Sequence, residues 1–149
     1  LLRLKQQCDL ADSLDLPVVI HDREAHGDIL DFFRKEAPKN LRAVFHCYSG
    51  SLEMAKELWK RGIYLGFGGS STYKNNKKVR EVLAACPAEL FLLETDCPYL
   101  TPEPYRGRRN DPSMTEFIAQ NAALVRGTSF AEIAVQSTKN AKVLFNKIK

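Results

Sequence analysis

Pro17-Val18-Val19-Ile20-His21 packs a proline, three β-branched residues and a histidine into consecutive positions. Proline lacks the amide hydrogen that a helix interior needs, so a preceding helix stops there. The Val-Val-Ile run then suits a strand and is too short for a helix. Upstream, Leu1, Leu4, Cys8, Ala11 and Leu14 recur at steps of three and four, which predicts one face of a helix. Downstream, the pattern predicts a helix over 27–36 that buries Ile29, Leu30 and Phe33 and closes at Pro38.

The same alternation continues. Residues 41–45 read as a second strand. Ser49 or Ser51 can cap the next helix, with Leu52, Ala55, Leu58 and Trp59 inward and Gly62 as its left-handed terminator. Residues 63–67 form a third strand, broken by Gly68-Gly69. A helix over 78–86 stops before Pro87, and 90–93 form a fourth strand. These runs are nearly continuous, as expected for strands buried on both faces. Alternating strands and helices predict right-handed βαβ units and a parallel α/β sheet. The remainder is helical: Asp111-Pro112 is a start signal, Ser129 and Glu132 have capping-box spacing, and Ala141, Leu144, Phe145 and Ile148 form an inner stripe. Two architectures fit, a small doubly wound sheet or half of a (β/α)8 barrel, which normally needs about 250 residues. Periodicity does not choose between them.

The chain has 149 residues, 22 Lys and Arg against 18 Asp and Glu, and a formal charge of +4. Hydrophobic residues make up 44% and charged residues 27%, which fits one globular domain over 1–149 and excludes collagen, a coiled coil or a disordered tail. No apolar run approaches about 18 residues, so neither a membrane span nor a membrane partner is expected. The opening Leu1-Leu2-Arg3-Leu4-Lys5 does not read as a signal peptide and looks like a cut inside a helix. Cys8, Cys47, Cys86 and Cys97 show no paired spacing and read as reduced thiols of a cytoplasmic protein.

Three of the four strands run straight into a metal-binding type of side chain: Ile20 into His21, Phe45 into His46, and Leu93-Glu94-Thr95 into Asp96. Active sites of parallel α/β folds lie at the carboxyl ends of strands. Imidazole and carboxylate converging there can hold Zn²⁺, Mn²⁺ or Mg²⁺. Glu94 and Asp96 are two apart and share a strand face. Glu94 is either part of that centre or a buried, hydrogen-bonded core acid, and the sequence leaves both open. His26 reads as a surface polar residue. Two basic clusters follow strand ends: Lys74, Lys77, Lys78 and Arg80, then Arg106, Arg108 and Arg109. Such cations suit phosphates, and the interleaved Tyr73, Tyr99 and Tyr105 can stack on unpaired bases. The stretch 66–69 is glycine-rich and is expected to allow close backbone approach rather than to cradle a phosphate.

Four segments together resemble the TatD family of metal-dependent deoxyribonucleases. They are Pro17-Val18-Val19-Ile20-His21-Asp22-Arg23, His46-Cys47-Tyr48-Ser49-Gly50, Leu93-Glu94-Thr95-Asp96-Cys97-Pro98-Tyr99-Leu100, and Arg109-Asn110-Asp111-Pro112. The resemblance implies a TIM-barrel hydrolase of the amidohydrolase type with two divalent ions, in which these strands are the fifth to eighth. It matches His21, His46 and Asp96 to metal ligands, and Asp96 also to the acid that deprotonates the attacking water. Arg23, Tyr99, Arg109 and Asn110 match positions at the substrate or supporting its loop, and Lys74, Lys77, Arg106 and Arg108 are candidate phosphate contacts. The implied activity is hydrolysis of DNA, as a 3′–5′ exonuclease on single strands. Removal of D-amino acids from tRNA is an alternative on the same scaffold. The family's His-x-His motif and its metal-bridging Glu are absent from the sequence. The expectation is therefore a C-terminal half of such a barrel, inactive alone or completed by self-association or by a complementary half.

Overall fold

The proline boundary holds in a computed structural model, which describes residues 1–147. Helix α1 (Leu2–Ser13) ends ahead of Pro17, and strand β1 (Val18–His21) follows it. Then come α2 (His26–Lys35), β2 (Ala43–His46), α3 (Leu52–Trp59), β3 (Tyr64–Phe67), α4 (Lys77–Ala85) and β4 (Phe91–Leu93). A short 3-10 turn (Pro112–Met114), capped by the Asp111 carboxylate, leads into α5 (Thr115–Arg126) and α6 (Phe130–Leu144). Ser51, rather than Ser49, caps α3 by accepting from the Met54 amide. Gly62 adopts the left-handed conformation, φ 67°, that favours glycine. Ile148 lies outside the described residues.

The four strands form one parallel sheet in the order β1-β2-β3-β4. A doubly wound sheet reverses its order partway, whereas sequential order with crossovers of one hand places every helix that connects two strands on one face. The packing follows that rule. Ile20, Phe45, Leu65, Phe67 and Phe91 share one core with Phe32 and Phe33 of α2, Leu58 of α3 and Val82 of α4. Helix α6, which follows the last strand and connects no two strands, lies on the opposite face, where Val44 and Leu92 meet Leu144, with Tyr64, Ala141 and Phe145 against them. Sequential order is the barrel-type arrangement, so the doubly wound alternative falls.

The predicted α1 stripe is only partly covered. Cys8 is buried and Leu4 and Ala11 are half-buried, but Leu1 and Leu14 are 61% and 53% exposed. Val19 of β1 is likewise 59% exposed. Among the described residues no helix is long and apolar enough to cross a membrane. All four cysteines are free.

Arginines tie the helix ends at the amino edge of the sheet. Arg42 donates to Leu144 O (2.7 Å) and to Asp15 Oδ1 (2.8 Å). Arg126 donates to Leu83 O and Cys86 O, both at 2.7 Å, and covers the Phe91 ring. Arg61 donates to Phe33 O and to Pro38 O. Helix carboxyl ends carry unpaired carbonyls and negative dipole charge, so guanidinium suits them.

The capping box at α6 yields a pH signature. Hydrogen bonds from the Thr128 hydroxyl and from the Ser129 amide and hydroxyl hold the exposed Glu132 carboxyl down at about 2. A depressed carboxylate pKa stabilises the fold above its unfolded value, and the gain is lost as pH falls through the folded value. Glu132→Ala is expected to lower Tm at neutral pH. In thermal melts the gap to the native chain should close as pH drops from about 4.5 towards about 2.

Candidate metal centre

Parallel register brings the first two ligand candidates together. His21 and His46 are register partners on β1 and β2, with ring centroids 5.7 Å apart. Positions two apart on a strand share a face, so His46 projects on the Val44 side of the sheet and Glu94 on the Leu92 side. His46, Gly66 and Glu94 line a cavity of about 360 Å³ together with Val19 and Val44.

Glu94 is fully engaged. One carboxylate oxygen is bonded to Nδ1 of His46, and the other accepts the Cys47 amide hydrogen at 2.6 Å. That answers the question the sequence left open: Glu94 orients His46. An ionised carboxylate only accepts, so the proton of the neutral ring sits on Nδ1 and the Nε2 lone pair faces outward. Nε2 lies 3.1 Å from Oδ1 of Asp96. Two lone pairs facing each other at that distance repel unless a proton or a cation offsets them. Ligand atoms held at about 2.1 Å from one divalent ion lie about 3.0 Å apart in octahedral and about 3.4 Å apart in tetrahedral geometry. The pair His46 Nε2 and Asp96 Oδ1 fits a shared divalent ion, with His21 beside it.

Local backbone makes these contacts possible. Cys47 and Asp96, each just beyond a strand end, take left-handed φ values of 46° and 53°. Such conformations cost about 1–3 kcal/mol for a residue with a Cβ and concentrate at functional sites. β3 contributes no side chain at this level. A Cβ on Gly66 would overlap the Glu94 carboxylate, and one on Gly69 would overlap Leu100 O. The glycine stretch therefore serves close approach, as its sequence suggested.

Among the described residues, the group of three whose ligand atoms all lie within 4.8 Å of one another is His46, Cys47 and Glu94, without His21 or Asp96. Burial, reinforced by the charges of Glu94 and Asp96, drives the Cys47 thiol far above its ordinary pKa. It stays protonated, and the Glu94 oxygens are already committed. Asp96, not Cys47, is the stronger partner for His46.

The remaining predicted residues divide. Arg23, Tyr99 and Arg109 are exposed near the strand ends, as are Lys74, Lys77, Arg106 and Arg108. The two basic clusters, separate in sequence, meet: the Arg106 guanidinium lies 4.3 Å from the Tyr73 ring centroid. Tyr73 donates to Thr101 O at 3.0 Å, and Glu103 donates its amide to Thr72 Oγ1 at 2.8 Å. Of the two roles expected for Asn110, at the substrate or supporting its loop, its position suits the second. It is 2% exposed, and its amide nitrogen is spent on Thr95 O and Tyr99 O, which leaves it no surface to offer a substrate. Sequence reasoning also missed the Asp22–His26 pair, 2.6 Å apart, although its i,i+4 spacing was visible.

His21 and His46 as register partners, with Asp96 beside His46, place metal-binding types of side chain at the carboxyl ends of parallel strands, where metal-dependent hydrolases of parallel α/β type carry theirs. The family model described as TatD related DNase matches residues 3–146, and the chain belongs to that family. It is 43% identical over 141 residues to the uncharacterized metal-dependent hydrolase YabD of Bacillus subtilis, covering 95% of this chain and 55% of that protein. It is 37% identical over 145 residues to the 3′-5′ ssDNA/RNA exonuclease TatD of Erwinia tasmaniensis, covering 94% and 56%. The crystal structure of YjjV, a TatD homolog from Escherichia coli, superposes with a TM-score of 0.88 at 32% identity, covering 96% of this chain and 55% of that one. The chain spans about half the length of the relatives it matches. The family match runs through almost the whole chain, so it does not by itself mark a C-terminal half, and it lends no support to pairing with a separate half.

The Gly66 cradle is testable. Gly66→Ala should push Glu94 off His46, so that ¹⁵N NMR of the neutral His46 ring no longer shows a single Nδ1–H tautomer. Retention of that tautomer would contradict the cradle.

Proposed function

We propose that this chain carries the metal-binding strand ends of a hydrolase that cleaves DNA phosphodiester bonds, acting 3′ to 5′ on single strands. The carrying observation is His46, fixed through Nδ1 by Glu94 and facing Asp96 at 3.1 Å through Nε2. The exonuclease name borne by the Erwinia relative supports the substrate class. So does the exposed rim of Lys74, Lys77, Arg106 and Arg108 with the Tyr73 and Tyr105 rings against its arginines. The sequential strand order and the 55% share of YabD support reading these four strands as half of an eight-stranded barrel, the fifth to eighth by motif order.

In this reading His21, His46 and Asp96 hold Mg²⁺, Mn²⁺ or Zn²⁺. A bound divalent ion supplies charge that lowers the pKa of water and offsets charge developing on phosphate. The Asp96 carboxylate takes the proton of the attacking water. Glu94 keeps the His46 proton on Nδ1, so that Nε2 stays available. Arg23, Arg109 and Tyr99 hold the reacting nucleotide, with the planar guanidinium groups matching phosphate oxygens. Lys74, Lys77, Arg106 and Arg108 hold neighbouring phosphates, so binding should weaken as salt rises.

The test is digestion of a 5′-labelled single-stranded DNA with Mg²⁺ or Mn²⁺, with D-aminoacyl-tRNA as the competing substrate. Stepwise shortening from the 3′ end is expected of the complete eight-stranded enzyme, abolished by chelator and lowered about 10²–10⁴-fold by Asp96→Asn with the far-UV spectrum unchanged. Turnover of D-aminoacyl-tRNA in place of DNA, or an active Asp96→Asn chain, would overturn the proposal.

A further inference from the structure

Asn110 is buried 15 residues downstream of Thr95, yet it touches the backbone on both sides of Asp96. Its Nδ2 donates to Thr95 O at 2.6 Å and to Tyr99 O at 2.5 Å. Its own backbone N–H donates to Pro98 O at 3.1 Å. Both side-chain partners are carbonyls, which only accept, so the amide orientation is fixed: the nitrogen must face them. Inside this bracket the Tyr99 amide donates to Asp96 O at 2.9 Å. Asp96 and Leu100 both have φ of 53°. Left-handed residues with a Cβ persist only where their surroundings over-determine them.

We propose that Asn110 is a positioning residue that sets Asp96 at the metal centre by clamping the Thr95–Tyr99 backbone. The proposal rests on Asp96 being a metal ligand. Few side chains can replace it. Two carbonyls need two donors on one atom at short reach, which the carboxamide supplies. An aspartate there only accepts, and a serine can satisfy one carbonyl alone. Asn110 Oδ1 is buried without a partner, so the residue carries a cost that its fit to the surrounding core does not explain. The clamp also closes the loop that carries Arg106 and Arg108. Gly69 supports the same loop from the other side, where its missing Cβ leaves room for Leu100 O.

The experiment compares the native chain with Asn110→Ala on two readouts, amide hydrogen exchange and Mn²⁺ affinity by calorimetry. We expect the Tyr99 amide to exchange about 10-fold faster while Phe45 and Leu65 of the sheet are unchanged. We expect the Mn²⁺ dissociation constant to rise about 10-fold, with no further rise when Asn110→Ala is added to Asp96→Asn. Unchanged Tyr99 exchange overturns the clamp. An equal loss of Mn²⁺ affinity in the Asp96→Asn background overturns the route through Asp96. A native chain that takes up no Mn²⁺ refutes the metal role of Asp96, and amide exchange then decides the clamp alone. Should Asn110→Ala not fold, Asn110→Ser is expected to give the same changes at smaller size, and its failure to accelerate Tyr99 exchange counts against the proposal.

Discussion

The hydrogen bond between Glu94 and Nδ1 of His46 is the contact on which the rest of the site depends. It spans β3, because β2 and β4 are not neighbours in the sheet. Only a residue without a side chain can sit between them at that level, and Gly66 does. A hydrogen bond to a charged group contributes about 1.5–3 kcal/mol. Its larger consequence is chemical. With the proton held at Nδ1, the ring presents Nε2 towards Asp96. Without it the ring could turn or change tautomer, and the pair would no longer suit one cation.

Stability and chemistry occupy opposite ends of the sheet. At the amino end, Arg42, Arg61 and Arg126 bind the carbonyls that end helices and so join neighbouring βα units. At the carboxyl end, Cys47, Asp96 and Leu100 take positive φ, and Asn110 Oδ1 is buried with no partner among the described residues. Parallel βα folds divide their labour in this way, with the strand-to-helix loops carrying function. The Tyr73–Arg106 stack joins two of those loops into one basic rim.

Local chemistry was legible in the residues. Pro17, the Val-Val-Ile run, Gly62 and the Ser129–Glu132 box each act over a few positions, and each boundary fell within a residue or two of its reading. The placement of His21, His46 and Asp96 at or just past strand ends was legible because a strand ends where its apolar run ends. Longer-range features were not. Strand order is set by how helices pack, which periodicity does not encode. The role of Glu94 depends on a neighbour 48 residues away. Asn110 entered through the motif alone, which left it either at the substrate or supporting the loop. Its burial follows from a turn at Asp96 that no propensity announces.

The most direct test of the account is ¹⁵N NMR of the three imidazole rings during Zn²⁺ titration. The account predicts that the His46 Nε2 resonance shifts to the value of a metal-bound nitrogen, together with one ring nitrogen of His21, while His26 stays with Asp22 and does not move. Zinc binding through His46 Nδ1, or no response at His46, would contradict it.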